Sequence, residues 1–243
     1  MKQLVYIFLV VVLAACNKQK DIGPGSTAAE PGDFLSADNY RSMQIQVVFE
    51  KGFAPENETL EQLRQFLVKH LNKPDGIEII STEIPLQNSG VYSVEKIREI
   101  ETKYRSVFRK GTQVSAFVFF AGGDYQNNQG DAKVLGIAYG ESSMCVFEKT
   151  VEEFSGGLTQ PSQKTVESSV LNHEFGHVLG LVNNGTKPVS EHQDAAHGRH
   201  CDDKNCLMYY ATETSDLISN LIGENVPGLD DNCINDLKSA GGK

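Results

Sequence analysis

The sequence is poor in basic residues and in long apolar runs. Its 243 residues include 22 lysines and arginines against 32 acidic residues, which gives a net charge of −10. Proteins bind nucleic acids and anionic membranes through a basic face, so this excess of acidic residues argues against electrostatic binding to either. The strongly apolar run over residues 4–15 is too short to span a bilayer. With 40% hydrophobic residues, we expect an acidic globular protein whose function lies in a local site.

The first 16 residues are typical of an export signal. Lys2 precedes the apolar run, which ends in small residues. Leu13-Ala14-Ala15-Cys16 resembles the lipobox of bacterial lipoproteins, and an ordinary secretory signal is the alternative. The resemblance implies cleavage after residue 15, a lipid on Cys16 as the only membrane contact, and an outer-membrane location facing the periplasm or the cell surface. We expect residues 16–40 to be a flexible tether and residues 41–243 to form one domain.

Apolar periodicity after residue 40 alternates between strand and helix. It predicts strands over 43–50, 77–84, 113–123 and within 132–149, and helices over 57–71, 93–108 and 162–182. This order predicts an α/β fold with a mixed, twisted sheet. Two short helices, over 214–223 and 229–240, make the predicted C-terminal part mostly helical.

The helix over 162–182 carries the motif His173-Glu174-Phe175-Gly176-His177. Two histidines four residues apart share one helix face and can hold one cation, for which neutral imidazole and Zn²⁺ are well matched. Glu174 is rotated off that line and can face a water molecule as a general base. Five of the six histidines fall within residues 173–200, which favours a metal site over scattered surface histidines.

A catalytic zinc needs a third protein ligand, which must come from the following loop. The candidates there are His192, His197, His200, Glu191 and Asp194. The residues alone leave this choice open.

Two motifs resemble those of metzincin peptidases. HEFGHVLG over 173–180 is similar to the metzincin HExxHxxG, but position 183, where metzincins place the third histidine, is Asn. The run from His200-Cys201 through Cys206 to Met208 resembles the corresponding motif of archaemetzincins. Here its histidine follows position 183, where the family motif would place it, by 17 residues (200 − 183). The resemblance implies a metzincin-like catalytic domain with His200 as third zinc ligand and Met208 beneath the metal. It also implies that Tyr210 hydrogen-bonds the tetrahedral intermediate.

Four cysteines remain once Cys16 is set aside, namely Cys145, Cys201, Cys206 and Cys233. Archaemetzincins use four such residues for a second, structural zinc, but here the last pair is reduced to Cys233. In an exported protein a disulfide, for example Cys201–Cys206, suits these thiols better, and the pairing stays open.

Together these features predict a zinc-dependent, metzincin-like peptidase. It would act as a monomer on a peptide or protein substrate, paired with an edge strand within 132–148 as the resemblance implies. The alternative is a non-catalytic, zinc-containing surface lipoprotein that binds peptide or glycan. An amidase of cell-wall peptides would share the mechanism and differ in substrate.

Overall fold

The computed structural model describes residues 29–87, 90–128, 133–216, 221 and 225–243. Its strands are β1 (Ser42–Glu50), β2 (Ile77–Ile84), β3 (Val91–Tyr92), β4 (Gln113–Phe120), β5 (Asp124–Tyr125), β6 (Gly136–Ala138) and β7 (Ser143–Val146). Its helices are α1 (Pro31–Leu35), α2 (Asn57–His70), α3 (Val94–Tyr104), α4 (Glu148–Glu153), α5 (Gln163–Val178) and α6 (Asp231–Ser239), with a 3₁₀ turn at Tyr210–Glu213.

The main sheet has the strand order β2-β1-β4-β7-β6. Strands β2, β1, β4 and β7 run parallel, and β6 at the edge runs antiparallel to β7. The short strands β3 and β5 form a separate parallel pair. The α/β fold with a mixed sheet, predicted from the strand–helix alternation, is therefore confirmed.

Central strand β4 explains how the layers assemble. Its alternate residues Val118 and Phe120 pack into one apolar cluster with α2 and α5, while Phe117 and Phe119 face the other side. Ile97 of α3 lies in that second cluster. A strand buried on both faces needs a nearly continuous apolar sequence, which β4 has. Helix α5 is therefore held against the sheet, beside edge strand β6.

The chain departs from the predicted boundaries at several ends. The predicted tether is corrected over residues 29–40, because α1 forms there and buries Phe34 and Leu35 completely. Helix α3 stops at Tyr104, where Arg105 turns aside and donates to the Val107 carbonyl. The signal segment and residues 16–28 lie outside the described residues.

The predicted helix over 214–223 falls mostly outside the described residues as well, and residues 214–216 form a bridge and turn. The predicted helix over 229–240 is present as α6. Among the described residues, no helix combines the length and apolarity that crossing a membrane requires.

Candidate metal centre

Helix α5 presents His173 and His177 on one buried face. Ser162 caps its first turn by accepting a hydrogen bond from the Thr165 amide, as expected of serine at this position. His173 is completely buried and His177 is 8% exposed. Below them, a Cβ atom on Gly176 would collide with Met208 Sδ. Glycine at this position therefore lets Met208, which is fully buried, pack directly against helix α5.

A sharp turn ends α5 at Val178, four residues earlier than predicted. Gly180 has φ +78°, and a Cβ there would lie 2.6 Å from the Thr186 amide nitrogen. The chain then makes a long loop and returns at His200. The loop pairs with itself, since Asp194 N donates to His200 O at 2.8 Å and Asp202 N donates to His192 O at 2.9 Å.

His200 completes a triangle of imidazoles with the two helix histidines. The ring centroids are 4.7 Å apart for His173 and His177, 5.3 Å for His173 and His200, and 5.1 Å for His177 and His200. The Nε2 atoms of His173 and His177 are 3.1 Å apart. Two nitrogens on one tetrahedral zinc would lie about 3.4 Å apart, so the spacing fits such an ion.

Backbone carbonyls orient two of these rings. Nδ1–H of His173 donates to Leu207 O, and Nδ1–H of His200 donates to His197 O, each at 2.7 Å. Their Nε2 lone pairs are thus left for the centre of the triangle. Burial lowers the pKa of His173 to about 4 and that of His177 well below its usual range. Both rings are therefore neutral near pH 7, the form that binds a metal ion.

Glu174 lies next to the triangle and is completely buried. Within the described part of the chain neither of its carboxyl oxygens makes a well-formed hydrogen bond, although the Ala138 backbone of β6 lies beside it. Burial raises the pKa of Glu174 well above its usual range, and the nearby charge of Glu213 raises it further. A buried carboxyl group without a partner is costly, and such groups in native proteins call for a functional explanation.

Glu213, a residue that the sequence analysis missed, also faces the triangle. Its Oε2 lies 3.5 Å from His200 Nε2 and 3.9 Å from His173 Nε2. Burial alone would lower the pKa of His200, but the nearby Glu213 carboxylate and the hydrogen bond to the His197 carbonyl outweigh it and raise that pKa. No spacing rule pointed to Glu213, because it follows the second histidine of the motif by 36 residues (213 − 177).

The remaining candidates from the loop lie away from the triangle. His197 stacks on Tyr210, with ring centroids 3.6 Å apart, and its Nδ1 pairs with Asp194 at 2.6 Å. Glu191 is exposed. Besides stacking on His197, the Tyr210 ring lies near the Tyr209 ring, with the two ring centroids 4.6 Å apart. His200 is the loop histidine that joins the helix pair, and the role predicted for Tyr210 stays a prediction.

His192 instead belongs to a second buried cluster with three cysteines. Its Nδ1 lies 3.5 Å from Cys201 Sγ and 4.0 Å from Cys233 Sγ, and Cys206 Sγ lies 3.7 Å from Cys233 Sγ. All three sulfurs carry thiols, as does Cys145, so the disulfide expected from the sequence is absent among the described cysteines and that expectation is corrected. Hydrogen bonds from the Cys206 and Cys233 thiols lower the pKa of Cys201 far below its usual range.

The spacing of this Cys/His cluster matches a metal site. Around a tetrahedral zinc, sulfur atoms lie about 3.8 Å apart and a nitrogen lies about 3.6 Å from a sulfur. Nε2–H of His192 donates to Asp236 Oδ2 at 2.8 Å, which turns the Nδ1 lone pair toward the thiols. Asp230 also approaches the cluster, but it caps α6 by accepting a hydrogen bond from the Cys233 amide at 2.9 Å.

Comparisons with known proteins agree on the fold. No family model matches the sequence, and no curated protein does. The solved structure of archaemetzincin from Methanopyrus kandleri is similar, with a TM-score of 0.54 over 82% of this chain and 96% of that one, at 16% identity. The structure of a zinc-dependent peptidase from Methanocorpusculum labreanum is similar with a TM-score of 0.50, over 79% of this chain and 99% of that one, at 15% identity. The chain therefore shares the archaemetzincin-like fold.

Proposed function

We propose that this protein is a zinc-dependent peptidase. The observation that carries the proposal is the triangle of His173, His177 and His200 beside the buried carboxyl group of Glu174, which has no hydrogen-bond partner among the residues that the structure describes. Three imidazoles and a nearby base are the residues that zinc-assisted hydrolysis requires. The folds of an archaemetzincin and of a zinc-dependent peptidase support this assignment.

The three histidines would hold the ion through their Nε2 atoms. When bound, Zn²⁺ supplies Lewis acidity, which lowers the pKa of water and polarises a carbonyl group. The hydrogen bonds of His173 and His200 to backbone carbonyls orient the rings and keep both in the ligating tautomer.

Glu174 would move the proton. Its buried position makes the carboxylate a stronger base than the same group in water, because burial disfavours the charged form. It accepts a proton from the attacking water and passes it to the leaving amine. Tyr210 would donate a hydrogen bond to the tetrahedral intermediate. Its ring stacks on that of His197, so it would have to leave this contact to take that role.

Edge strand β6 is where the substrate would lie. It pairs with β7 on one side only, and the backbone of Ala138 lies beside Glu174. An extended peptide that adds to this edge through main-chain hydrogen bonds would bring its carbonyl groups past the base. The substrate of this proposal is therefore a peptide or protein segment in extended conformation, bound by a monomeric enzyme.

The Cys/His cluster would hold a second metal ion with a structural role. Cys201, Cys206, Cys233 and His192 offer four ligands and are all at least 98% buried, which leaves no open position for chemistry. Such an ion would join the loop, the segment before Met208 and helix α6.

Export as a lipoprotein completes the proposal. It depends on Leu13-Ala14-Ala15-Cys16 and would place the enzyme on the outer membrane, anchored by the lipid on Cys16. Mass spectrometry of the membrane fraction tests this, because the mature chain should begin at a diacylated Cys16. A soluble chain cleaved elsewhere would contradict the lipoprotein assignment alone.

The substitution Glu174→Gln tests the peptidase. We expect the full chain with this change to retain its zinc, measured by elemental analysis, while chelator-sensitive cleavage of denatured casein falls by roughly 10² to 10⁴-fold. Glu83→Gln, on the exposed part of β2, is the control and should leave cleavage unchanged. If the wild-type protein binds zinc but cleaves neither casein nor a peptide library, the non-catalytic binder replaces this proposal.

A further inference from the structure

The carboxylate of Glu213 occupies the fourth corner of the histidine site. One of its oxygens and the ligand nitrogens of His173, His177 and His200 all lie within 4.8 Å of one another. The carboxylate oxygen is 3.5 Å from His200 Nε2 and 3.9 Å from His173 Nε2. A catalytic zinc site normally leaves this corner open for water.

These distances are close to those between ligands of one ion. A carboxylate oxygen and an imidazole nitrogen on a tetrahedral zinc, each about 2.0–2.1 Å from it, would lie about 3.3–3.4 Å apart. The Glu213 oxygen is therefore about 0.1–0.2 Å farther from His200 Nε2, and about 0.5–0.6 Å farther from His173 Nε2, than two ligands of one zinc would be. Within the described part of the chain, its ion pairs are with these histidines and with no lysine or arginine.

The backbone holds Glu213 in place from both sides. Its carbonyl accepts a hydrogen bond from the Leu135 amide at 2.8 Å, and Ser215 N donates to Lys133 O at 2.8 Å. Val134 and Thr214 form an antiparallel bridge between these two segments. The residue thus ends a 3₁₀ turn that is tied to the segment leading into β6, and its side chain is only 28% exposed.

We infer that Glu213 is a fourth protein ligand of the metal in the resting protein, so that the site is closed until this carboxylate leaves. The inference rests on the proposed function for the identity of the first three ligands. It adds a form of regulation: water and substrate must displace Glu213 before they reach the ion. A peptide that pairs with β6 lies beside residues 133–135, so its binding can disturb the hydrogen bonds that hold Glu213.

Replacing zinc with Co²⁺ tests the coordination directly. The full chain is loaded with Co²⁺ as wild type, Glu213→Gln, Glu213→Ala and the control Glu83→Gln. Its visible spectrum is recorded while acetohydroxamate, a bidentate ligand for an open site, is added. We expect the wild type and the control to bind acetohydroxamate weakly, and Glu213→Ala to bind it at least about tenfold more tightly with a clear spectral change.

Zinc affinity and cleavage give two further readouts. Competition with a chromophoric chelator should show zinc held about tenfold less tightly in Glu213→Gln than in the control, because one charged ligand is lost. At saturating zinc, Glu213→Ala should cleave casein faster than the wild type. Equal acetohydroxamate affinities and equal spectra in all four proteins would overturn the inference even if cleavage is normal.

The outcomes separate the two proposals. A Glu213-dependent cobalt spectrum in a protein that cleaves nothing would support the fourth ligand and reject the peptidase. Unchanged coordination in Glu213→Gln, with selective loss of cleavage of peptides that have a free amino terminus, would also overturn the inference. It would assign Glu213 to binding the substrate amine.

Discussion

Gly136 makes room for Glu174. A Cβ atom on Gly136 would lie 2.9 Å from Glu174 Oε1 and 2.5 Å from Val170 Cγ1, both closer than side chains tolerate. Because Val170 and Glu174 project from one face of α5, the glycine lets this helix approach edge strand β6. The base and the strand proposed to bind substrate are therefore in direct contact.

We expect Gly136→Ala to push Glu174 aside and to reduce cleavage of casein by about 10²-fold, since small displacements of a catalytic group are costly. Zinc content should stay at the wild-type level, because the atoms nearest to the added Cβ belong to Val170 and Glu174 and not to a histidine ligand. Gly140→Ala is the matched control, as its Cβ would meet Ser143 at an ordinary 3.5 Å. Equal losses in both variants would mean that general damage to the strand, and not the base, is responsible.

The Cys/His cluster predicts a second zinc with a measurable effect on stability. Cys233→Ser should lower the zinc content from two ions per chain to one and reduce the melting temperature by several degrees, because a structural ion contributes to folding. Elemental analysis and thermal unfolding, with and without chelator, measure both effects. Cys145→Ser is the control, since Cys145 is equally buried but lies outside the cluster.

Asp236 is not one of the proposed ligands, but it hydrogen-bonds one of them, His192, and should therefore affect zinc binding as well. Asp236→Asn should weaken zinc binding by roughly 10 to 100-fold without removing it, because the aspartate orients His192 through its Nε2–H.

If Cys233→Ser keeps two zinc ions per chain, the second site is refuted.

A buried pair of acids makes stability depend on pH. Burial raises the pKa of Glu148 well above its usual range, and the charge of Glu167 raises it further. Gln163 Nε2 donates to both carboxyl groups, at 2.7 Å and 3.0 Å, and so holds the two acids close together between α4 and the first turns of α5. A group whose pKa is raised on folding stabilises the protein fully below about pH 4.5, and this contribution is lost as pH increases through the folded pKa.

We therefore expect Glu148→Gln, which stays neutral at every pH, to stabilise the protein at pH 8 by about 1–2 kcal/mol relative to wild type. The gain should shrink at pH 5, which lies close to the ordinary carboxyl pKa of 4.5 in the unfolded chain, so that little of the contribution has been lost there. Urea unfolding at the two pH values measures the difference, and Glu83→Gln should show no such dependence. A larger gain at pH 5 than at pH 8 would contradict the raised pKa of Glu148.

The fold was accessible from the sequence because its main elements are strongly patterned. Strand β2 begins and ends where its apolar residues predict, and β4 is apolar enough to be recognised as fully buried. The ends of the helices and strands were harder to predict from the sequence. The end of α5 depends on the approach of Gly180 to Thr186, a contact between residues of a loop that periodicity cannot describe.

Helix spacing predicted that His173 and His177 would share a face, since four residues make about one turn. The choice of His200 needed the resemblance, because His192 and His197 lie in the same loop and carry the same side chain. Glu213 could not be found from spacing at all, because it lies far along the chain from the helix histidines. The resemblance pointed to Cys201, Cys206 and Cys233 as candidates for a second zinc, but only the tertiary structure shows that His192 joins them.

The self-paired loop between Gly180 and Met208 contributes to both clusters, His192 to one and His200 to the other. Loading of the two ions would therefore be ordered. An ion on the Cys/His cluster would first fix the base of the loop, and only then would His200 be held where it completes the histidine triangle. In zinc-poor surroundings, newly made chains would accumulate as inert precursors, and their maturation would follow the supply of the metal.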